Sequence, residues 1–70
     1  MSEVTIYVEP GCPFSMAAKE DLARSGIAYR EVDVTASREA LEEMLRITGG
    51  ERMVPVIVEG DKVTLGFGGG

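Results

Sequence analysis

The chain carries a single cysteine, Cys12, and no histidine. In 70 residues this leaves no intramolecular disulfide, no Cys/His zinc site and no Ser-His-Asp triad, so the fold must be held by apolar burial between its own elements. A core of this size supplies roughly 3–5 kcal/mol, which supports one domain over residues 1–70 and leaves no room for a second. Any redox chemistry needs an outside partner. The formal net charge of −5 argues against general attraction to nucleic acid or to an anionic membrane. Apolar residues make up 44% of the chain, yet no run approaches the roughly 20 that a membrane-spanning helix needs. Met1-Ser2-Glu3-Val4 lacks the basic and apolar regions of a secretory signal, so the expected location is the cytoplasm, whose reducing conditions suit a lone thiol.

The pattern along the chain predicts a short α/β domain. Val4-Thr5-Ile6-Tyr7-Val8 is β-branched and aromatic, stops at Glu9-Pro10-Gly11, and reads as a buried strand. Pro13 suits the first position of a helix that has Cys12 as its N-cap, with Phe14, Ala18 and Leu22 on one face and Gly26 at its end. Ile27 to Val34 reads as a second strand. Ser37 then caps a helix with Ala40, Leu41, Met44, Leu45 and Thr48 on its inner face, ended by Gly49-Gly50. Pro55 to Glu59 and Lys62 to Leu65 complete the order β-α-β-α-β-β, joined by Gly60-Asp61 in a type II′ hairpin. The first two strands are parallel through a right-handed crossover and the last two antiparallel, which gives a four-stranded mixed sheet. Met16 and Met44 are expected to fill the core, Tyr7 and Tyr29 to be half-buried with hydroxyls at the edge, and Glu42 and Arg46 to pair along the helix.

Cys12 falls where a strand hands over to a helix N-terminus, the place at which open α/β sheets bind ligands. Unpaired N–H groups and the positive end of the macrodipole lower a thiol pKa there, and only the thiolate is a nucleophile. Ser15, three residues on, can bring its hydroxyl to the sulfur but cannot form a disulfide, so the chemistry expected is monothiol.

Tyr7-Val8-Glu9-Pro10-Gly11-Cys12-Pro13-Phe14-Ser15 resembles the active-site segment of glutaredoxins, and Arg52-Met53-Val54-Pro55 resembles that family's Arg-Thr-Val-Pro segment. Leu65-Gly66-Phe67-Gly68 lies where the family has a glycine-containing turn. The resemblance spans nearly the whole chain and implies a thioredoxin-like, glutaredoxin-type fold. It implies that Cys12 is the catalytic nucleophile aided by Ser15, with no tightly bound cofactor or metal and with glutathione as co-substrate. It implies a cis Val54–Pro55 bond, with the Val54 N–H and C=O facing outward to grip the cysteine portion of glutathione. Pro13, Phe14, Arg52, Met53, Pro55, Gly66 and Phe67 would complete the groove. Phe14 either walls it or packs inward, and Arg52 is either a carboxylate clamp or a solvated charge. Tyr29 and Tyr7 are assigned no ligand.

The sequence departs from the family pattern at several positions. Glu9 replaces a lysine, Met53 a threonine, and Gly68-Gly69 the acidic residues that follow the turn; the family's C-terminal helix is missing after Gly70. Part of the sheet face shared by the first and last helices is then expected to stand open, unless the C-terminus is truncated here, or Phe67 and the tail, or a second chain, cover it. Residues 12 to 22 are also similar to a bacterial glutaredoxin-like branch in which some members carry selenocysteine at the first position. The expected activity is reduction of mixed disulfides between glutathione and protein thiols, resolved by an external thiol, by a monomer. Two alternatives stand beside it. One is a dimer carrying a [2Fe–2S] cluster on two Cys12 thiolates and two glutathiones, although Pro13 replaces that class's glycine. The other is a non-catalytic module that binds a protein partner, as a monomer or as a dimer through the open face.

Overall fold

The computed structural model describes residues 3–66. Its elements run β1 (Val4–Val8), α1 (Pro13–Arg24), β2 (Tyr29–Asp33), α2 (Arg38–Thr48), β3 (Val56–Glu59) and β4 (Lys62–Leu65), in the expected order. The sheet order is β2-β1-β3-β4. β1 pairs with β2 in parallel from Val4↔Tyr29 to Val8↔Asp33, and antiparallel with β3 from Val4↔Glu59 to Tyr7↔Val56. β3 and β4 form the antiparallel hairpin, Val56↔Leu65 to Glu59↔Lys62. Gly60 has φ 60 and Asp61 is not left-handed, which fits a type II′ turn and excludes type I′.

Side chains alternate across a strand, so the apolar run of β1 feeds two cores. Val4, Ile6 and Val8 point to α1 and pack with Ala18 and Leu22, joined by Tyr29 and Ile57. Tyr7 points the other way and packs with Val56, Val34 and Met44 beneath α2, joined by Leu41 and Leu45. Ile6, Ala18, Met44 and Val56 are fully buried. α2 is delimited as expected: Ser37 Oγ accepts the Ala40 N–H at 3.1 Å, and Gly49 closes the helix in the left-handed region at φ 74. Beyond α1, its face of the sheet continues over half-buried Ile57 and exposed Thr64, so this part is open; Phe67 and the tail lie outside the described residues.

Several expectations need correction. β2 starts at Tyr29, because Ile27 is used to finish α1: its N–H donates to the Leu22 C=O at 2.9 Å while the Gly26 N–H donates to Ala23. That is a Schellman closure, with Gly26 at φ 73 and an apolar residue following it. β3 starts at Val56, one residue after Pro55, which has no N–H for a ladder. Met16 is 52% exposed, since the inner face of α1 is supplied by Ser15, Ala18 and Leu22. Tyr7 is buried, and its hydroxyl donates to Glu43 Oε1 on α2. Burial first, and then that carboxylate, push the phenol up to about 12. Among the described residues the ion pair formed is Lys19–Glu31 at 3.1 Å; Glu42 and Arg46 do not pair.

Met44 sits under α2 with no exposed surface, so Met44→Ala removes contacts from both α2 and the sheet. The expected loss is about 2–5 kcal/mol, against about 1 for removing the Ser37 cap as alanine. Urea unfolding checks this: the midpoint falls in both variants at unchanged slope, and further in Met44→Ala.

Candidate active site

At the end of β1 the chain reverses through Glu9-Pro10-Gly11-Cys12. The Cys12 N–H donates to the Glu9 C=O at 3.2 Å, with Pro10 and then Gly11 at the two central positions. Gly11 has φ 83, the left-handed value that the second central residue of a type II turn requires. The turn delivers Cys12 to the N-cap of α1 in extended geometry, φ −80 and ψ 117, and Pro13 opens the helix with no N–H to leave unpaired. The Cys12 C=O accepts the Met16 N–H at 3.1 Å, so Cys12 also accepts the first helical bond.

The thiol is partly exposed and its pKa is lowered. The largest cause is the Ser15 backbone N–H, followed by the Ser15 hydroxyl; desolvation opposes them, the Phe14 N–H adds to them, and the charge of Glu9 opposes. These are the orphan donors of a helix N-terminus directed at one acceptor. Ser15 Oγ is buried and makes no hydrogen bond of normal geometry in the resting site. A thiolate accepts more strongly than a thiol, so ionisation of Cys12 gives this orphaned hydroxyl a partner.

Opposite stands the segment before β3. The β1–β3 ladder ends at Tyr7↔Val56, and beyond it Glu9 and Val54 line one cavity. Val54–Pro55 is cis, and no backbone hydrogen bond among the described residues uses the Val54 N–H or C=O. Pro55 is buried, and its C=O accepts the Gly66 N–H at 2.8 Å, which ties the end of β4 to this segment. Gly66 is buried too.

A cavity of about 460 Å³ opens beside these residues, with Glu9, Arg52, Met53 and Val54 in its wall together with Arg38, Leu41 and Met44 of α2. The structure thus brings Arg52, Met53 and Val54 together, with Met53 39% exposed. Cys12, Pro13 and Phe14 are not in that wall, and Phe14 is 45% exposed, which settles its choice against the core. Phe67 lies outside the described residues. Arg38, Thr35 and Ser37, to which the sequence analysis gave no part in a site, all line this cavity. The signal was available, since the β-α-β crossover sets the loop after β2 beside the loop after β1.

A protein-family model described as Glutaredoxin matches residues 4–64. A glutaredoxin of Neisseria meningitidis is 40% identical over 68 residues, which are 96% of this chain and 79% of that protein. The chain spans 62% of the length of another relative, the Gene 56 protein of Mycobacterium phage L5. Among solved structures, a glutaredoxin from Archaeoglobus fulgidus superposes with a TM-score of 0.85 at 30% identity, over 96% of this chain and 77% of that one. The Escherichia coli glutaredoxin-like protein NrdH-redoxin, described as having a thioredoxin-like activity profile, superposes at 0.81 with 32% identity, over 93% of this chain and 83% of that one.

The lowered thiol has consequences in two measurements. Followed by thiolate absorbance, Cys12 titrates below the ordinary thiol range; Ser15→Ala moves the midpoint up and Glu9→Gln moves it down. Folding favours the thiolate, so this group contributes its stability in full above the unfolded thiol pKa and loses it as pH falls through the lower folded value. Chemical denaturation across that window shows the slope in the wild type and not in Cys12→Ser.

Proposed function

Because the chain belongs to the glutaredoxin family, we propose that it is a monothiol thiol-disulfide oxidoreductase acting on mixed disulfides between glutathione and protein thiols. The observation that carries the reading is the seat of Cys12 at the N-cap of α1, partly exposed, where the backbone donors of the first turn and the Ser15 hydroxyl lower its thiol pKa. The Cys12 thiolate attacks the glutathione sulfur, the S–S bond breaks, and the electron pair leaves on the protein thiolate, which takes a proton from water. Cys12 now holds the glutathionyl group. As the only cysteine it has no neighbour to resolve this intermediate, so an external thiol attacks it, releases the Cys12 thiolate and carries the glutathione away as a new disulfide.

Ser15 stabilises the thiolate in the resting and departing states. Val54 offers its unused N–H and C=O to the cysteine backbone of the substrate, a short strand-like pairing that aligns the sulfurs. Pro55, buried and bonded to Gly66, keeps that edge in place, while Pro13, Phe14 and Met53 supply apolar contact. Arg52 meets a carboxylate of the ligand. Phe67 is counted among the glutathione contacts on the family resemblance alone. The protein acts as a monomer in a reducing compartment, with glutathione as co-substrate. A second reading replaces glutathione by a protein thiol as the discharging reductant; Glu9, a carboxylate facing the anionic tripeptide, favours it.

The test incubates the reduced protein with a glutathionylated peptide at neutral pH and follows it by intact mass. Wild type is expected to gain one glutathionyl group rapidly and to lose it on addition of glutathione, while Cys12→Ser gains none. A charged enzyme that glutathione fails to discharge selects the second reading, and absence of any transfer overturns both.

A further inference from the structure

The cavity of about 460 Å³ takes charges of both signs from three parts of the chain: Glu9 follows β1, Arg38 opens α2 and Arg52 precedes β3. All three are exposed, no ion pair joins Glu9 to either guanidinium, and none of the three side chains makes a hydrogen bond among the described residues. Buried Val34 and Met44 line the same cavity, which therefore offers an apolar floor with one carboxylate and two cations unengaged around it. Its volume lies in the range of small-molecule sites, roughly 300–1,000 Å³. Val54, with its backbone N–H and C=O unused, stands in the same wall. Two residues that exchange both N–H···O bonds are paired antiparallel, so a ligand whose cysteine pairs with Val54 runs against the direction Arg52-Met53-Val54. The ligand residue on the carboxyl side of that cysteine then lies toward Met53 and Arg52, at the cavity.

We propose that this cavity is the subsite for the residue on the carboxyl side of the ligand's cysteine, and that it prefers a residue carrying both a carboxylate and an ammonium group over the glycine of glutathione. The proposal rests on the exchange reaction described above and names the class of low-molecular-weight thiol that the site takes best. The carboxylate meets the guanidiniums of Arg38 and Arg52, the ammonium meets Glu9, and the methylenes between them cover the apolar floor. Glycine brings the carboxylate alone, which leaves Glu9 facing an anion with no cation of the ligand between them. The chemistry is unchanged: the thiolate of Cys12 forms a bond to the sulfur of the small thiol, the old S–S bond breaks, and the protein thiolate leaves and takes a proton from water. At roughly 6 Å, and at a dielectric between protein surface and water, attraction of one cation to one carboxylate is worth about three- to tenfold in rate. Added salt shrinks that factor.

The test uses four mixed disulfides of one neutral peptide, each with a γ-glutamyl-cysteinyl tripeptide whose last residue is glycine, lysine, norleucine or lysinamide. Norleucine keeps the carboxylate and the four-carbon side chain without the ammonium, and lysinamide keeps the ammonium without the carboxylate. Second-order rate constants for transfer of the tripeptide to Cys12 are measured at neutral pH by intact mass for wild type, Glu9→Gln, the double variant Arg38→Gln/Arg52→Gln, and Glu59→Gln. Glu9 also raises the Cys12 pKa, so the quantity read is the ratio of two tripeptides within one variant, in which that effect cancels. Glu59 is the control because it pairs with Val4, at the end of β1 remote from Cys12, and changes net charge equally. In wild type the lysine tripeptide is expected to react fastest, about three- to tenfold ahead of norleucine and ahead of glycine. Its lead over norleucine is lost in Glu9→Gln and kept in Glu59→Gln, and its lead over lysinamide is lost in the double arginine variant. Equal rates for lysine and norleucine in wild type overturn the proposal and leave the exchange reaction standing, as does a lead that survives in Glu9→Gln or falls equally in Glu59→Gln. No transfer from any of the four disulfides removes the exchange reaction itself, and the proposal with it.

Discussion

Burial of β1 on both faces and pairing on both edges is the constraint from which the rest of the molecule follows. Its neighbours are β2 and β3, and its alternating side chains belong to separate cores under α1 and α2. A strand fixed in this way cannot slip by one residue, because a slip would exchange Tyr7 with Ile6 or Val8 across the sheet. Its end is therefore a fixed point, and the reactive residue is mounted on it by a four-residue turn closed by one hydrogen bond. The same strand fixes the start of β3 through the Tyr7↔Val56 pair, two residues after Val54. Thiol and opposing backbone are thus positioned by one element, without a disulfide or a metal.

At the site the electrostatics are a contest whose terms are all local. Backbone donors of the first helical turn and one buried hydroxyl favour the anion, while partial desolvation and the nearby carboxylate oppose it, and the donors prevail. They prevail because they belong to the first turn of the helix that Cys12 caps, whereas Glu9 is exposed and acts through a medium that water screens. A carboxylate can therefore occupy this rim at a modest cost to nucleophilicity while its field still reaches anything approaching from solvent.

Much of this was legible in the residues. The element order, the Cys12 cap with Pro13, the Ser37 cap, the Gly49 stop and the hairpin at Gly60 all rest on short-range chemistry that a sequence displays directly. Errors arose where tertiary geometry decides between equal local options. Ile27 is as good a strand residue as a helix-closing one, and Gly26 took it for the closure. Met16 lies off the inner face of α1, which Ser15, Ala18 and Leu22 supply, and Tyr7 found a carboxylate on α2, thirty-six residues away in sequence. The cavity wall was legible only in part. Arg38 and Thr35 reach it because the crossover folds the α2 start against the end of β1, a relation between loops that no local pattern encodes.

The hydrogen bond from the Gly66 N–H to the Pro55 C=O joins the segment facing Cys12 to β4, every residue of which is exposed. Edge strands with little buried surface open locally at far lower free energy than a central strand, and their amides exchange with solvent accordingly. Each opening of β4 releases that bond, so the order of Val54 and Pro55 rests partly on the least protected strand of the sheet and partly on the core beneath them. The groove accordingly has two walls of different permanence: the thiol side persists as long as the protein is folded, while the backbone-pairing side loosens on the timescale of edge fraying. A peptide seated at Val54 would slow that fraying, and occupancy of the groove would be recorded in the exchange of amides one strand away.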